Sequence, residues 1–194
     1  MNILAINTAF NESYVAVNSN GEHTLKSMNS SLKQSENILG LIDETLKESQ
    51  IKLNDINAIA CVIGPGSFTG IRIGASIAKG FCSALTGIKR ICINSLDLLA
   101  YTFFKTNPKS DFWVVLNALS GNLFACKYNQ NAERLCEPCL LFGDKLETVT
   151  GIIVGESGEE LGMCNNFIEL SSKDLLEFSI KEAQKQNFSN DFVV

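Results

Sequence analysis

The segment between Gly64 and Gly74 constrains the fold of this chain more than any other stretch. It reads Gly-Pro-Gly-Ser-Phe-Thr-Gly-Ile-Arg-Ile-Gly, after an apolar run over Ala58–Ile63 and before a helix predicted over Ile71–Leu85. A strand, a glycine turn and a helix in that order predict an α/β crossover. Pro65 fixes its own backbone angle, and the glycines allow another part of the backbone to come close.

The glycine turn matches neither of the common phosphate-binding motifs. A P-loop requires a lysine directly after its second glycine, and no lysine stands at that position. A dinucleotide-binding G-x-G-x-x-G would need glycine where Thr69 stands. A bare helix N-terminus can still receive an anion or a partner's carboxylate. A tight structural turn and an anion-binding turn therefore both remain open.

Small side chains recur every four residues along the helix that follows the turn. The small stripe consists of Gly70, Gly74, Ala78 and Cys82, and the bulky stripe beside it of Ile73, Ile77, Phe81 and Leu85. Arg72 and Lys79 interrupt the apolar run, which argues against a membrane span. A small stripe allows another helix to approach closely. Packing inside the chain and an intersubunit helix contact are both open interpretations.

The first hundred residues predict three strands in hairpins, followed by alternating helices and strands. The predicted strands are Ile3–Ile6, Tyr14–Val17, His23–Met28, Ala58–Ile63 and Arg90–Ile93. A candidate capping box over residues 31–34 precedes an amphipathic helix. The apolar face of that helix contains Ile38, Leu39, Ile42 and Leu46. Another helix runs from a Ser95 cap to Phe104, and this order is typical of a ribonuclease-H-like lobe.

The stretch Asn107–Ser110 marks a boundary between two lobes. We expect a first lobe over residues 1–106 and a smaller, divergent second lobe over residues 107–194. Strands of the second lobe are predicted at Phe112–Leu116, Leu123–Tyr128 and Gly151–Gly155, and a helix at Lys173–Gln186. This terminal helix could pack back on the first lobe.

The glycine segment, continued through Ala75–Gly80, resembles the signature of the TsaB family of tRNA threonylcarbamoyladenosine biosynthesis proteins. The opening run Met1–Ala9 is similar to that family's first strand and turn. The likeness covers residues 1 to 100 well and weakens afterwards. It implies an α/β fold with ribonuclease-H-like lobes of the actin/Hsp70/sugar-kinase (ASKHA) superfamily and a shortened second lobe.

Three positions depart from the pattern that the resemblance implies. Asn7 stands where kinases and ATPases of the superfamily carry an aspartate, and an amide is a poorer Mg²⁺ ligand than a carboxylate. Gln34 replaces a histidine at the start of the first helix. The segment Asn117–Phe124 replaces the family's D-A-R-x-G-E-V-Y and lacks three of its charges. The effect of these departures on a ligand site is left open.

The resemblance implies a non-catalytic subunit that binds TsaD and, with the ATPase TsaE, supports threonylcarbamoyl transfer to the tRNA adenosine next to the anticodon. The alternatives are a standalone ATP-using carbamoyl or acyl transferase of the same superfamily and a metalloprotease-like protein. TsaD binds metal through an H-x-x-x-H pair, whereas His23 is the only histidine of this chain. We expect no catalytic residue, no cofactor and no metal site, and therefore no enzyme activity of its own.

The expected partner surface combines the two helices that flank the first crossover. The predicted contact residues are Leu39, Ile42, Leu46, Gly70, Ile71, Gly74, Ile77, Ala78 and Phe81. Within this set, Gly74 and Ala78 are expected to lie closest to the partner backbone. The expected partners are TsaD, as a heterodimer through helix packing, and TsaE. A homodimer of the isolated chain is a further option, and tRNA is reached only through the complex.

Charge and cysteine usage predict a cytoplasmic protein that binds neither membranes nor nucleic acid by itself. The formal net charge of −5 opposes binding to nucleic acid. The start of the chain carries no basic segment followed by an apolar run, so no secretory signal is predicted. The seven cysteines fit reduced thiols. Cys136 and Cys139 form a lone C-x-x-C, which supplies only half of a zinc site, and we expect neither thiol to be needed for function.

Overall fold

The computed structural model describes residues 1–29, 33–157 and 161–193. The chain forms two compact units, one containing Met1–Asn94 and Ser171–Val194 and the other containing Ser95–Leu170. Each unit is built on one five-stranded sheet. Among the described residues, no helix combines the length and the hydropathy needed to cross a bilayer.

The first sheet has the strand order that the sequence predicts. Its strands are β1 (Ile3–Asn7), β2 (Glu12–Ser19), β3 (Glu22–Asn29), β4 (Ala58–Gly64) and β5 (Lys89–Asn94). They lie in the order β3-β2-β1-β4-β5. The first three strands pair antiparallel, and β4 and β5 continue the sheet in parallel with β1. The predicted ribonuclease-H-like order is thereby confirmed. Strands β1 and β4 read as continuous apolar runs because both of their faces are covered.

Within the described ranges, four α-helices connect or follow these strands. They are α1 (Gln34–Glu48), α2 (Phe68–Ala84), α3 (Ser95–Phe104) and α4 (Ser172–Gln184). The buried faces of α1 and α2 share one hydrophobic core with β1, β2 and β4, and α4 packs against β1 and β2. Helix α2 begins before the predicted Ile71 because the Ser67 hydroxyl accepts a hydrogen bond from the Gly70 N–H at 3.2 Å and caps the helix.

The start of α1 differs from the capping box predicted over residues 31–34. Ser31 and Leu32 lie outside the described residues. The N-cap position is occupied by Lys33, whose φ of 46° is left-handed and whose side chain makes no capping hydrogen bond.

The last described residues close the edge of the first sheet. Ser189 bridges Arg90 on β5 in antiparallel fashion. The Nζ of Lys89 lies 4.4 Å from the Phe188 ring centroid. Phe192 is fully buried and belongs to the same core as α1 and α2. These contacts place the segment after α4 firmly within the first unit.

The second sheet repeats the topology of the first, strand for strand. Its strands are β6 (Phe112–Asn117), β7 (Leu123–Tyr128), β8 (Cys139–Leu141), β9 (Ile152–Glu156) and β10 (Asn166–Ile168). Their order is β10-β9-β6-β7-β8, with β6, β7 and β8 antiparallel and β9 and β10 parallel to β6. Between β8 and β9, where the first unit carries α1, the second unit has only a 3₁₀ helix over Gly143–Thr148.

The division into units differs from the boundary predicted between residues 106 and 107. Helix α3 follows β5 in the chain, but it packs on the second sheet. Its Phe103 ring meets the Phe112 ring of β6 edge to face, with centroids 4.8 Å apart. Because chain order does not reveal which sheet covers a helix, the sequence placed α3 in the first lobe. The segment from Ser171 onwards belongs to the first unit, where α4 packs against β1 and β2, a packing that the sequence left open for the terminal helix.

Candidate partner-binding surface

The glycine turn is joined by hydrogen bonds to the turn between β1 and β2. The Ser67 N–H donates to the Ala9 carbonyl at 2.8 Å, and the Thr8 hydroxyl donates to the Gly70 carbonyl at 2.6 Å. A Cβ at Gly66 would lie 2.5 Å from the Ala9 carbonyl oxygen. Gly66 also has a φ of 153°, which side chains rarely adopt. The glycines of the motif therefore serve close backbone packing inside the first unit.

The small stripe of α2 faces inward, against the residues of β1 and β4. A Cβ at Gly70 would collide with the Thr8 carbonyl, and one at Gly74 would collide with the Thr8 hydroxyl and lie 3.4 Å from the Cys61 sulfur. Ala78 is fully buried. The prediction that Gly70, Gly74 and Ala78 contact a partner is therefore wrong. Both stripes of α2 are apolar, so periodicity alone did not show that the small stripe packs on the chain's own sheet.

Three of the larger predicted contact residues are also internal. Ile42, Leu46 and Ile71 retain at most 8% of their exposure. Ile42 and Leu46 belong to the core beneath α1. The prediction that Ile42, Leu46 and Ile71 contact a partner is therefore also wrong, because a buried side chain cannot reach a second protein.

The remaining predicted residues, Leu39, Ile77 and Phe81, keep part of their surface exposed. Leu39 is 52% exposed, whereas Ile77 and Phe81 are half-buried and pack against the core beneath α1 and α2. Between the two helices runs a surface groove of about 440 Å³, which we call the α1–α2 groove. It is lined by Ser35, Leu39, Phe68, Thr69, Arg72, Ile73, Ser76 and Ile77. A role of this surface in binding a partner stays a prediction.

Phe68 and Arg72 are groove residues that the sequence analysis missed. Phe68 is 65% exposed, and the guanidinium carbon of Arg72 lies 3.8 Å from its ring centroid. Arginine stacked on an aromatic ring is a stabilising pair, and both residue types are enriched at protein–protein interfaces. The signal was present in the sequence, because Phe68, Arg72 and Ser76 recur every four residues opposite the small stripe.

Asn7 and Gln34, two of the departures noted in the sequence, hold the first turn together. The Asn7 Oδ1 accepts from the Ala9 N–H at 3.0 Å, and its Nδ2 donates to the Glu12 carbonyl at 3.3 Å. The Gln34 Nε2 donates to the Thr8 carbonyl at 3.1 Å and to the Ser13 hydroxyl at 2.7 Å. A carboxylate at residue 7 could not donate to a carbonyl, so the amide suits this turn.

The third departure, the segment over residues 117–124, forms a comparable turn in the second unit. Asn117 ends β6 as Asn7 ends β1, and its Oδ1 accepts from the Leu119 N–H at 2.8 Å. Leu119, Ser120 and Gly121 all have positive φ. Unlike Asn7, Asn117 is exposed.

A second group that sequence analysis missed lies within the second unit. The Arg134 guanidinium pairs with the Asp97 carboxylate through two of its nitrogens, and the Tyr128 hydroxyl donates to the same carboxylate at 2.8 Å. Burial, and secondarily Asp97, raises the pKa of the Tyr128 phenol well above its ordinary value. The hydrogen bond to Asp97 raises the pKa of Arg134. This group ties α3 to β7 and has a structural role.

The described residues contain no group of three or more His, Cys, Asp and Glu side chains placed to hold a metal ion.

Comparison with known proteins matches most of the chain to one group of tRNA-modifying proteins. The family model described as "TsaD: tRNA N6-adenosine threonylcarbamoyltransferase" matches residues 28–189. The TsaB protein of Buchnera aphidicola subsp. Schizaphis graminum is 32% identical over 161 residues, which cover 77% of this chain and 69% of that protein. The TsaB protein of Escherichia coli K12 is 30% identical over 131 residues, covering 68% of this chain and 56% of that protein.

A solved structure shows the same fold at lower sequence identity. YeaZ from Pseudomonas aeruginosa superimposes with a TM-score of 0.78 at 20% identity, covering 97% of this chain and 96% of that chain. A second Pseudomonas aeruginosa structure, an uncharacterised protein with similarity to peptidase YeaZ, gives a TM-score of 0.77.

Proposed function

Because the chain belongs to the TsaB family of tRNA threonylcarbamoyladenosine biosynthesis proteins, we propose that it is a non-catalytic subunit supporting threonylcarbamoyl transfer to tRNA. The catalytic subunit is a TsaD protein, and the ATPase TsaE is a further component. The acceptor is the adenosine next to the anticodon, and tRNA is bound only through the complex. The α1–α2 groove is the surface that contacts TsaD.

The exposed apolar lining of the α1–α2 groove carries this proposal. Leu39 and Phe68 are each more than half exposed on adjacent helices. Removing such apolar side chains from water is favourable, so their burial by a partner would stabilise a complex. The proposed partner element is a helix with apolar residues at helical spacing, laid between α1 and α2. Arg72 adds a stacked cation that can pair with a carboxylate of the partner.

The two helices that form the groove are held in place by contacts on their inner faces, which suits a docking surface. Helix α2 is held to the turn after β1 by the Thr8 hydroxyl, and α1 packs on the core through Ile38 and Ile42. A surface on rigid elements loses little conformational entropy when a partner binds. The inward small stripe thus contributes to docking indirectly, by fixing the position of the outward stripe.

Asn7 and Gln34 support the non-catalytic part of the proposal. Both amides are engaged by backbone or hydroxyl groups of the first turn. An amide at residue 7 is neutral and binds Mg²⁺ less well than the aspartate that ATP-using relatives carry. The alternative, a standalone transferase, has one observation in its favour, since the family model matching residues 28–189 is named for the transferase itself.

Reconstitution with TsaD and TsaE of the same cell tests the proposal. Threonylcarbamoyladenosine in tRNA is measured by mass spectrometry with and without this chain, and co-purification reports association. We expect modification to require the chain, and Leu39→Glu to weaken binding to TsaD by about ten- to a hundredfold, since ~1.4 kcal/mol is tenfold. Leu140→Glu, at an exposed leucine of the second unit, is the matched control and should bind normally.

The same experiment separates the alternatives. Undiminished modification without the chain would contradict the subunit role. ATP hydrolysis or stoichiometric metal in the repurified chain alone would favour the standalone enzyme. Equal loss of binding in Leu39→Glu and Leu140→Glu would show that the groove is not the specific contact.

A further inference from the structure

Two thiols lie on the same edge of strand β7 in the second unit. The Cys139 thiol donates to the Ala125 carbonyl at 3.7 Å, and the Lys127 N–H donates to the Cys136 sulfur at 3.2 Å. Residues two apart in a strand direct their backbone groups to the same edge. The two sulfurs are therefore held at neighbouring positions along one strand, and only Glu137 and Pro138 separate their residues in the chain.

The two thiols differ in their access to solvent. Cys139 is exposed and Cys136 is half-buried. A third thiol, Cys126, is fully buried, and its S–H donates to the Cys136 carbonyl at 3.2 Å. Burial raises the pKa of Cys126 to about 12, so it stays protonated and unreactive at neutral pH.

We propose that Cys136 and Cys139 are a modification site that forms a reversible disulfide by exchange with a small-molecule disulfide such as oxidised glutathione. The exposed Cys139 thiolate attacks one sulfur of the small disulfide, forming a mixed disulfide and releasing one small thiolate. The Cys136 thiolate then attacks the Cys139 sulfur and releases the second. The two protein thiols are oxidised, the small disulfide is reduced to two thiols, and the two protein protons pass through solvent to the released thiolates.

Disulfide exchange at Cys136 and Cys139 should become faster as pH rises. Burial, with a further contribution from Cys136, raises the pKa of Cys139. Only the thiolate attacks, so below that pKa the first step accelerates as pH rises, by about tenfold per pH unit. The site lies in the unit that does not contain the α1–α2 groove, so its oxidation can be studied separately from partner binding.

The test is disulfide exchange of the full chain with oxidised glutathione, followed by peptide mass spectrometry. Native chain and chain in concentrated urea are compared at the same pH and the same glutathione ratio. We expect a peptide that has lost two hydrogens and links Cys136 to Cys139, with an equilibrium constant about tenfold higher in the native chain, because the fold holds the sulfurs together. Cys136→Ser should stop at the mixed disulfide on Cys139.

The matched control is Cys164→Ser, which removes a half-buried thiol of the same unit and should leave the exchange unchanged. The proposal is overturned if the native chain forms this disulfide no more readily than the denatured chain. It is also overturned if the native disulfide involves Cys126, or if Cys136→Ser forms no stable adduct on Cys139.

Discussion

The hydroxyl of Thr8 lies where a side chain at Gly74 would begin, so these two residues share one packing position between β1 and α2. The same hydroxyl donates to the Gly70 carbonyl one helical turn earlier. Helix α2 can therefore sit directly on the first turn of the chain only if residue 74 lacks a Cβ.

Replacing Gly74 by leucine should destabilise the chain rather than selectively weaken its association. Overpacking alone costs about 1–3 kcal/mol, and here the clash is with the buried Thr8, directly after the central strand β1. We expect a clear fall in the urea midpoint, measured by circular dichroism. This reverses the sequence-based expectation that Gly74 lies close to a partner backbone.

Gly80 on the same helix provides the matched control for Gly74. A Cβ at Gly80 meets nothing within 4 Å, so Gly80→Ala should raise stability by up to ~1 kcal/mol through helix propensity. A Gly74→Leu chain as stable as the parent would contradict the packing of α2 described above.

The groove residue Phe68 should matter for binding and not for folding. Phe68→Ala removes an exposed ring together with the stack on Arg72, so the unfolding midpoint should stay within the range of surface substitutions. Binding to TsaD, measured by titration calorimetry, should weaken by about 2 kcal/mol, or roughly thirtyfold, if Phe68 is an interface anchor.

The second unit offers a closely matched control for this variant. Phe142 is 53% exposed, and the Lys145 Nζ lies 5.2 Å from its ring centroid, so it too is an exposed ring beside a cation. Phe142→Ala should leave TsaD binding unchanged. Equal effects of the two substitutions would remove the argument for the groove.

The strand order of the first sheet could be predicted from the sequence, because hairpin turns and apolar runs are local signals. Which way the small stripe of α2 faces could not be predicted. Its orientation depends on contact with Thr8, which lies more than sixty residues before Gly74 in the chain. The family resemblance implied a second ribonuclease-H-like lobe, but the residues of the second unit did not predict its full strand order. A 3₁₀ helix replaces the counterpart of α1 there, so the alternation of strands and helices that marks the first lobe is interrupted.

Tyr128 should make the chain lose stability at high pH. Its pKa is raised in the folded state from the ordinary 10.0, so the folded chain keeps a proton that the unfolded chain releases. The contribution is fully present below pH 10 and declines above it, with a slope of at most ~1.4 kcal/mol per pH unit.

Lysines also titrate near pH 10, and the Tyr128→Phe variant separates the contribution of the Tyr128 phenol from theirs. The variant loses the hydrogen bond to Asp97, which costs about 1 kcal/mol at neutral pH, but its stability should fall less steeply between pH 9 and pH 11. Urea midpoints at several pH values measure both effects. Parallel pH profiles for the parent and Tyr128→Phe would show that the phenol does not titrate differently on unfolding.

Asn7 and Asn117 end the first strands of the two sheets with the same side-chain-to-backbone turn, but only Asn7 is buried. Asn7→Asp keeps the acceptor for the Ala9 N–H, loses the donor to the Glu12 carbonyl and places a carboxylate where no water reaches. We expect a loss of about 1–3 kcal/mol at pH 7, which partly recovers on acidification because protonation restores a neutral donor. Asn117→Asp makes the same chemical change in solvent and should cost much less, since an exposed carboxylate accepts the Leu119 N–H equally well. Urea unfolding of both variants at pH 7 and pH 5 measures the difference. If the two variants lose the same stability at both pH values, the burial and the donated bond of Asn7 do not explain why an amide occupies this turn.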